Sequence, residues 1–404
     1  MNRILVIHRG SLGDFLLLLP TLHALKDRLA GVRVEILGRL EIAGLACPGV
    51  ADSIASVERA EFVPIFEQDV GLSEARTSYF SSFDAVLAYV LDPNRTLERN
   101  LLRLGIGNVI VRPPFPPAAT RIHVSEYLLD TIAPLFRDAD KRQPMEKRPP
   151  RFLAFNEDEM RWAESFLRLK SPRSLFAKEG IERPARSMKR PSRDSVSANL
   201  FAGATRKESE KIVRTNSHLQ NPTPTRQLRD SPTEGMLPEG GPVIAIHPGS
   251  GNEKKCWPVE RYEALARRVL GDINCSLLLV LGPADERLTE RTTNLGRELN
   301  ATIAQSLSLR RLAAVLSKCA AYVGNDSGIS HMAAAAGTPT LAIFGPTDST
   351  VWAPKGENAW IVRSDIECSP CEREKMRQCV ERKCLTAIDV NEVTEAVKRL
   401  LRTP

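Results

Sequence analysis

Short apolar runs alternate with longer amphipathic stretches along most of the chain, a pattern that predicts strands each followed by a helix. Residues 4–8 are apolar and β-branched, as in a strand buried on both faces. A polar turn, Arg9-Gly-Ser-Leu-Gly13, follows, and residues 14–29 read as a helix with Asp14 at its N-cap or in its first turn. Further strands are predicted at 32–37, 83–90 and 108–111, a rigid proline loop at 113–117 and a helix at 124–136. The pattern resumes with strands at 243–247, 276–281, 321–324 and 340–344. Helices are predicted between and after them at 259–270, 285–299, 309–317, 331–336 and 390–401. Two blocks of strand–helix alternation predict an α/β chain with two doubly wound parallel sheets.

Residues 171–240 break the pattern. Ser, Arg, Pro, Asn and Thr dominate there, and sequences such as Asn221-Pro-Thr-Pro-Thr225 offer no apolar face to bury. The expected organisation is therefore a first domain over 1–170, a disordered basic linker or insertion over 171–240, and a second domain over 241–404. A length of 404 residues suits two such domains.

Charge changes this picture little. The net charge is +7, but residues 171–240 hold 13 Lys/Arg against 8 Asp/Glu, a surplus of five. The folded parts are then close to neutral. The insertion reads as a solvated spacer or as a basic arm for an anionic membrane surface, and no nucleic-acid partner is expected. Residues 1–7 read as a first strand rather than a signal peptide, and the early apolar run 15–19 is far too short to span a bilayer. A cytoplasmic protein with free thiols is the expectation.

Four constellations sit where strands end, the place where open α/β sheets hold ligands. The first is Gly10-Ser11-Leu12-Gly13-Asp14. It lacks the full dinucleotide-binding glycine pattern, and its Asp14 is placed either to cap a helix or to act as a general base. The second is His247-Pro-Gly-Ser-Gly-Asn-Glu-Lys-Lys-Cys-Trp-Pro258. The backbone around Ser250 and Gly251 suits phosphate oxygens, and Lys255 is an exposed loop lysine or a partner for a leaving pyrophosphate. The third is Val323-Gly-Asn-Asp-Ser-Gly-Ile-Ser-His331, with Thr347 and Asp348 at the next strand's end, expected to face the same crevice. Ser327 and Gly328 offer backbone N–H groups at a helix N-terminus, an anion site, with Asp326 beside them to hold a sugar hydroxyl or fix the turn. His331, about one turn in, is a packing residue or a ligand contact. The fourth is Cys368, Cys371, Cys379 and Cys384, a spacing that suits either one structural zinc or four reduced thiols. A catalytic metal there is not expected.

These segments together resemble the ADP-heptose–lipopolysaccharide heptosyltransferases, inverting glycosyltransferases of the GT-B fold. The resemblance rests on Ile4-Leu-Val-Ile-His-Arg-Gly-Ser-Leu-Gly-Asp14 with Leu19-Pro-Thr-Leu22, on His247-Pro-Gly-Ser-Gly251 with Lys255-Cys-Trp-Pro258, and on Gly324-Asn-Asp-Ser-Gly328 with His331. Phe344-Gly-Pro-Thr-Asp348 and the late cysteines complete it. It implies two Rossmann-like domains facing a central cleft, with Asp14 as catalytic base and Lys255 binding pyrophosphate. Ser250, Gly251, Asp326, Ser327, Gly328 and His331 would hold the donor, with Asp285 or Glu286 near the nucleotide and Ser11 and Gly13 on the acceptor side. The implied donor is ADP-heptose and the acceptor a lipopolysaccharide core or lipid A precursor, met at the cytoplasmic leaflet of the inner membrane. No cofactor and no catalytic metal are implied. Arg9-Gly10 departs from the family's usual small polar pair. The motifs also fit another nucleotide sugar, or a non-catalytic nucleotide-sugar-binding or scaffold protein.

Overall fold

The computed structural model describes residues 1–68, 71–117, 120–136, 151–169, 212–214 and 241–402, with 212–214 described in backbone only. The first five strands, β1 (Arg3–His8), β2 (Arg33–Gly38), β3 (Ser53–Ser56), β4 (Ala85–Tyr89) and β5 (Asn108–Arg112), form one sheet. Its order is β3-β2-β1-β4-β5, parallel throughout. The second sheet holds β6 (Ile212–Arg214), β7 (Val243–His247), β8 (Ser276–Leu281), β9 (Thr302–Gln305), β10 (Ala321–Asn325), β11 (Thr340–Phe344) and β12 (Ala359–Arg363). Its order is β6-β12-β11-β10-β7-β8-β9, parallel except for β6, which runs antiparallel to β12. Two doubly wound Rossmann-like units are thus present, as the strand–helix alternation predicted. Most of the stretch expected to be disordered lies outside the described residues. Within it, Ile212–Arg214 departs from that expectation by extending the second sheet.

Strands β1, β4, β7, β10 and β11 are buried along their whole length or nearly so, which is why their apolar runs were readable. The sequence reading missed β3 and β9, two short strands at sheet edges with Ser, Thr and Gln in them. It also passed over β12, whose Ala-Trp-Ile-Val run is buried. The helix expected over 124–136 ends at Asp130, and a separate 3-10 turn covers Ala133–Leu135. Pro134 has no N–H to continue the ladder.

In both sheets the order reverses at the first of the parallel strands: β1 lies between β2 and β4, and β7 between β8 and β10. Loops after these strands part there and leave a crevice at the carboxyl edge. The Leu12–Arg28 helix follows β1 and buries Phe15 to Leu19, Leu22 and Leu25. It packs into a cluster shared with Met332, Ala333 and Ala335 of the Gly328–Ala335 helix, so one apolar cluster joins the two units.

Residues 151–169 add a second joint. The N–H groups of Phe152 and Leu153 both donate to Ala335 O, at 2.7 and 3.0 Å. The Glu157–Leu169 helix lies beside Leu309–Leu316, with Arg311 over the Trp162 ring and Arg310 paired to Glu159. Arg310 also donates to Ala154 O at 3.0 Å and Leu45 O at 3.3 Å, so one guanidinium ties three segments. Arg310→Ala should lower stability by about 2 kcal/mol, because charged hydrogen bonds to half-buried partners are lost. Lys318→Ala, which removes the more exposed Lys318–Glu164 pair, should cost about 0.5 kcal/mol or less. Thermal unfolding of the two variants, compared with the parent chain, checks the difference.

Candidate functional site

Between the two carboxyl edges lies a cleft of about 490 Å³. The first unit contributes Ser11, Leu12, Gly13, Asp14 and Leu17, and the loops after β7, β8 and β10 contribute most of the rest. Ser11, Gly13, Asp14, Ser250, Gly251, Lys255, Asp285, Asp326, Ser327, Gly328 and His331 all line it. Glu286 falls outside, exposed at the start of the Glu286–Leu299 helix, and Thr347 and Asp348 are not among the lining residues either.

Asp14 is held at the third position of its helix. The Ser11 N–H and Ser11 Oγ both donate to Asp14 Oδ2, at 2.9 and 2.8 Å. One carboxylate oxygen is thereby anchored, while Oδ1 makes no hydrogen bond among the described residues. Capping and chemistry are compatible here, because they use different oxygens.

On the opposite wall Ser327 caps the Gly328–Ala335 helix, its Oγ accepting from Ser330 N–H. Asp326, 5% exposed, receives the Lys255 ammonium at 2.8 Å and the Thr347 hydroxyl at 2.6 Å, both on Oδ2. An ammonium has three N–H donors; the ion pair orients Lys255 and leaves donors for the cleft. Ser250 donates its hydroxyl to Asp326 O at 3.0 Å, so the glycine-rich loop is pinned to the end of β10. Asp348 turns away, caps the Ser349–Trp352 helix and pairs with Arg121 of the first unit at 2.9 Å. The expectation that it shares the crevice does not hold.

Two glycines lie where the walls meet. A Cβ on Gly328 would stand 3.0 Å from Leu12 Cβ, and one on Gly13 would stand 3.4 Å from His331 Cδ2. A Cβ on Gly13 would thus be in ordinary contact, whereas at Gly328 the two helices come closer than side chains ordinarily pack.

Asp285 is more a buttress than a rim residue. It is 3% exposed, and its Oδ2 meets His247 Nε2 at 2.8 Å and the Gly282 N–H at 2.7 Å. Burial raises its pKa, but the bond and charge of His247 and the Gly282 N–H outweigh this and hold it below the usual carboxylate value. A Cβ on Gly249 would stand 1.7 Å from Asp285 Oδ1, so the loop rests directly on this carboxylate.

His331 is buried, and burial pulls its pKa down to about 4, aided by Lys255 and opposed by Asp326 and Asp14. His8, behind Asp14, is pulled to about 4 in the same way, against the opposing charge of Asp14. Both rings are neutral at pH 7. Leu309, Ile329 and Trp352 give the cleft apolar walls that the sequence reading missed. They are ordinary core-type residues, and no local signal marks them.

The four late cysteines are free thiols, Cys384 buried and Cys368 exposed. Burial, then the neighbouring cysteines, push the Cys384 thiol up to about 11 and the Cys371 thiol in the same direction. Cys371 Sγ donates to Cys368 O at 3.0 Å, and Cys379 Sγ accepts from Arg382 N–H at 3.4 Å. Among the described residues no group of three or more His, Cys, Asp or Glu side chains is arranged to hold a metal ion. The zinc alternative finds no preformed ligand set.

Two outcomes follow from this packing. Gly249→Ala should lower the melting temperature by several degrees, whereas Gly251→Ala, with nothing within 4 Å of its new Cβ, should leave it unchanged. His8 and His331 titrate at 6.5 when unfolded and at about 4 in the fold, so between these values the unfolded chain binds more protons. Their contribution to stability is complete above pH 6.5 and is lost as the pH falls through 4. Denaturation midpoints across pH 7.5 to about 4 should fall, with a shallower slope in His331→Gln.

Residues 197–383 match the model of glycosyltransferase family 9 (heptosyltransferase). Lipopolysaccharide heptosyltransferase 1 of Pseudomonas aeruginosa is 31% identical over 179 residues, covering 41% of this chain and 50% of that protein. Lipopolysaccharide heptosyltransferase 2 of Escherichia coli is 28% identical over 163 residues, covering 38% and 47%. The matched segment thus spans about half the length of these curated relatives. Among solved structures, a family 9 glycosyl transferase from Veillonella parvula superposes with a TM-score of 0.63 at 14% identity, covering 99% of this chain and 97% of that one. E. coli ADP-heptose LPS heptosyltransferase II superposes with a TM-score of 0.60 at 15% identity, covering 100% and 99%. The fold is GT-B, and no helix among the described residues is long and apolar enough to cross a membrane. The chain therefore carries a glycosyltransferase family 9 domain within a two-unit GT-B fold.

Proposed function

We propose that the protein transfers heptose from ADP-heptose to the inner core of lipopolysaccharide, with inversion at the anomeric carbon. One observation supports this above the others. A carboxylate with a free oxygen, Asp14, stands on one wall of the cleft, and an ammonium beside a helix N-terminus, Lys255 with Gly328–Ala335, stands on the other. A displacement at a sugar phosphate needs both: a base for the acceptor hydroxyl and positive charge for the departing diphosphate. The relatives' names supply the sugar and the acceptor.

In this reading the acceptor oxygen attacks the anomeric carbon while the bond from that carbon to the diphosphate oxygen breaks. The acceptor proton passes to Asp14 Oδ1, and ADP leaves with its new charge facing Lys255 and the N–H groups at Ser327 and Gly328. A single displacement inverts the configuration. Lys255 and the helix dipole supply the neutralising charge, so the proposal involves no divalent cation. A lipid acceptor implies peripheral contact with the cytoplasmic leaflet, which belongs to the proposal as well.

The test is incubation of the full chain with ADP-heptose and truncated lipopolysaccharide acceptors in chelator, with product read by mass. A heptose-sized increment is expected. Asp14→Ala should lower kcat by about 10²- to 10⁴-fold with donor KM little changed. Lys255→Ala should lower kcat/KM by about 10²-fold or more. Transfer that survives Asp14→Ala, or that stops in chelator and returns with magnesium, would contradict the mechanism. Transfer from a different nucleotide sugar alone would move the donor assignment and keep the mechanism.

A further inference from the structure

The donor wall is assembled from chain segments far apart in sequence, and one side chain joins them. Asn325, the last residue of β10, is 0% exposed. Its Oδ1 accepts from the Trp257 N–H at 2.8 Å and the Tyr262 hydroxyl at 2.9 Å. Its Nδ2 donates to Pro248 O at 2.9 Å and Gly249 O at 3.0 Å. A primary amide has two N–H donors and two acceptor lone pairs, and here all four are used. The orientation of the amide is fixed by its partners, since a carbonyl only accepts and a backbone N–H only donates.

The four partners come from three chain segments that build or back the proposed diphosphate site. Pro248 and Gly249 open the loop that carries Ser250 and Gly251. Trp257 follows two residues after the short Glu253–Lys255 turn that presents Lys255; at the start of that turn the Asn252 side chain accepts from Lys254 N–H, and Asn252 O from Lys255 N–H. Tyr262 lies on the Val259–Asp272 helix behind both. Asn325 itself immediately precedes Asp326. The spacing of phosphate loop, ammonium and carboxylate is therefore set through one buried amide.

We infer that Asn325 is the positioning residue of the donor diphosphate site, holding the 248–251 loop, Lys255 and Asp326 in register. The inference rests on the reading of this wall as a diphosphate site. No other natural side chain of this size reproduces the pattern: aspartate accepts but does not donate, and leucine does neither.

The test is ADP binding by calorimetry on the full chain and on Asn325→Asp. A carboxylate would face two carbonyl oxygens, so at pH 8 the variant should bind ADP at least tenfold more weakly than the parent. As the pH falls towards 6 the buried carboxyl takes a proton and regains one donor. Its affinity relative to the parent at the same pH should then recover severalfold. A merely structural role has no such pH signature. Leu400→Ala, a core truncation in the C-terminal Val390–Leu400 helix that lines no part of the cleft, should lower the melting temperature and keep ADP affinity within about twofold of the parent. Should Asn325→Asp be too unstable to purify, Asn325→Ser, uncharged and too short for the four partners, serves the same comparison at one pH. Parent-like ADP affinity in either Asn325 variant overturns the inference, as does an equal loss in Leu400→Ala. If the parent ignores ADP but binds inorganic pyrophosphate, with the same dependence on Asn325, the positioning role stands and the nucleotide reading fails. A parent that binds neither overturns both.

Discussion

The close approach of two helix N-termini, with Gly328 leaving room for Leu12, is the constraint on which the cleft depends. A helix N-terminus presents unpaired N–H groups and the positive end of a dipole. Two of them facing each other repel unless negative charge lies between or beside them. The structure supplies it twice, as Asp14 in the first turn of one helix and as Asp326 just ahead of the other. The same geometry is where the proposed reading seats the diphosphate. The burial of Leu16 to Leu19 against the cluster shared with Met332 and Ala333 provides the apolar contact that opposes this repulsion.

The two walls use their charges differently. Asp14 is tied through one oxygen to the turn that carries it, a local arrangement that fixes the carboxylate without cancelling it. Asp326 is tied across the site to Lys255 and Thr347, a non-local arrangement that orients a cation. A buried ion pair of this kind adds little net stability. Its consequence is geometric: the ammonium has one position, set by the carboxylate. Below it, the Asp285–His247 pair carries the Gly249 backbone, and the neutral His331 fills the gap between the walls without adding charge.

Much of this was legible in the sequence, and the reason is specific. Buried parallel strands are nearly pure apolar runs, so β1, β4, β7, β10 and β11 announced themselves, and residues just past their ends were the ones to inspect. That rule marked Asp14, Ser250, Asp326 and Ser327, and the resemblance supplied the expectation that both sheets face one cleft. Polar edge strands such as Ser53–Ser56 carry no such signature. Asn325 was visible only as part of a quoted motif, because its four bonds reach residues 63 to 77 positions away. Glu286 and Asp348 show the opposite error: they follow strand ends, yet helix geometry turns one outward and an ion pair with Arg121 claims the other.

The most direct test of the account is a crystal structure of the full chain with a donor analogue that cannot be transferred, ADP-2-deoxy-2-fluoro-heptose. The account predicts the diphosphate within hydrogen-bonding distance of Lys255 Nζ and of the Ser327 and Gly328 N–H groups, with the anomeric carbon on the side of Asp14 Oδ1. A diphosphate bound out of reach of Lys255 Nζ, or an anomeric carbon turned away from Asp14, would contradict it.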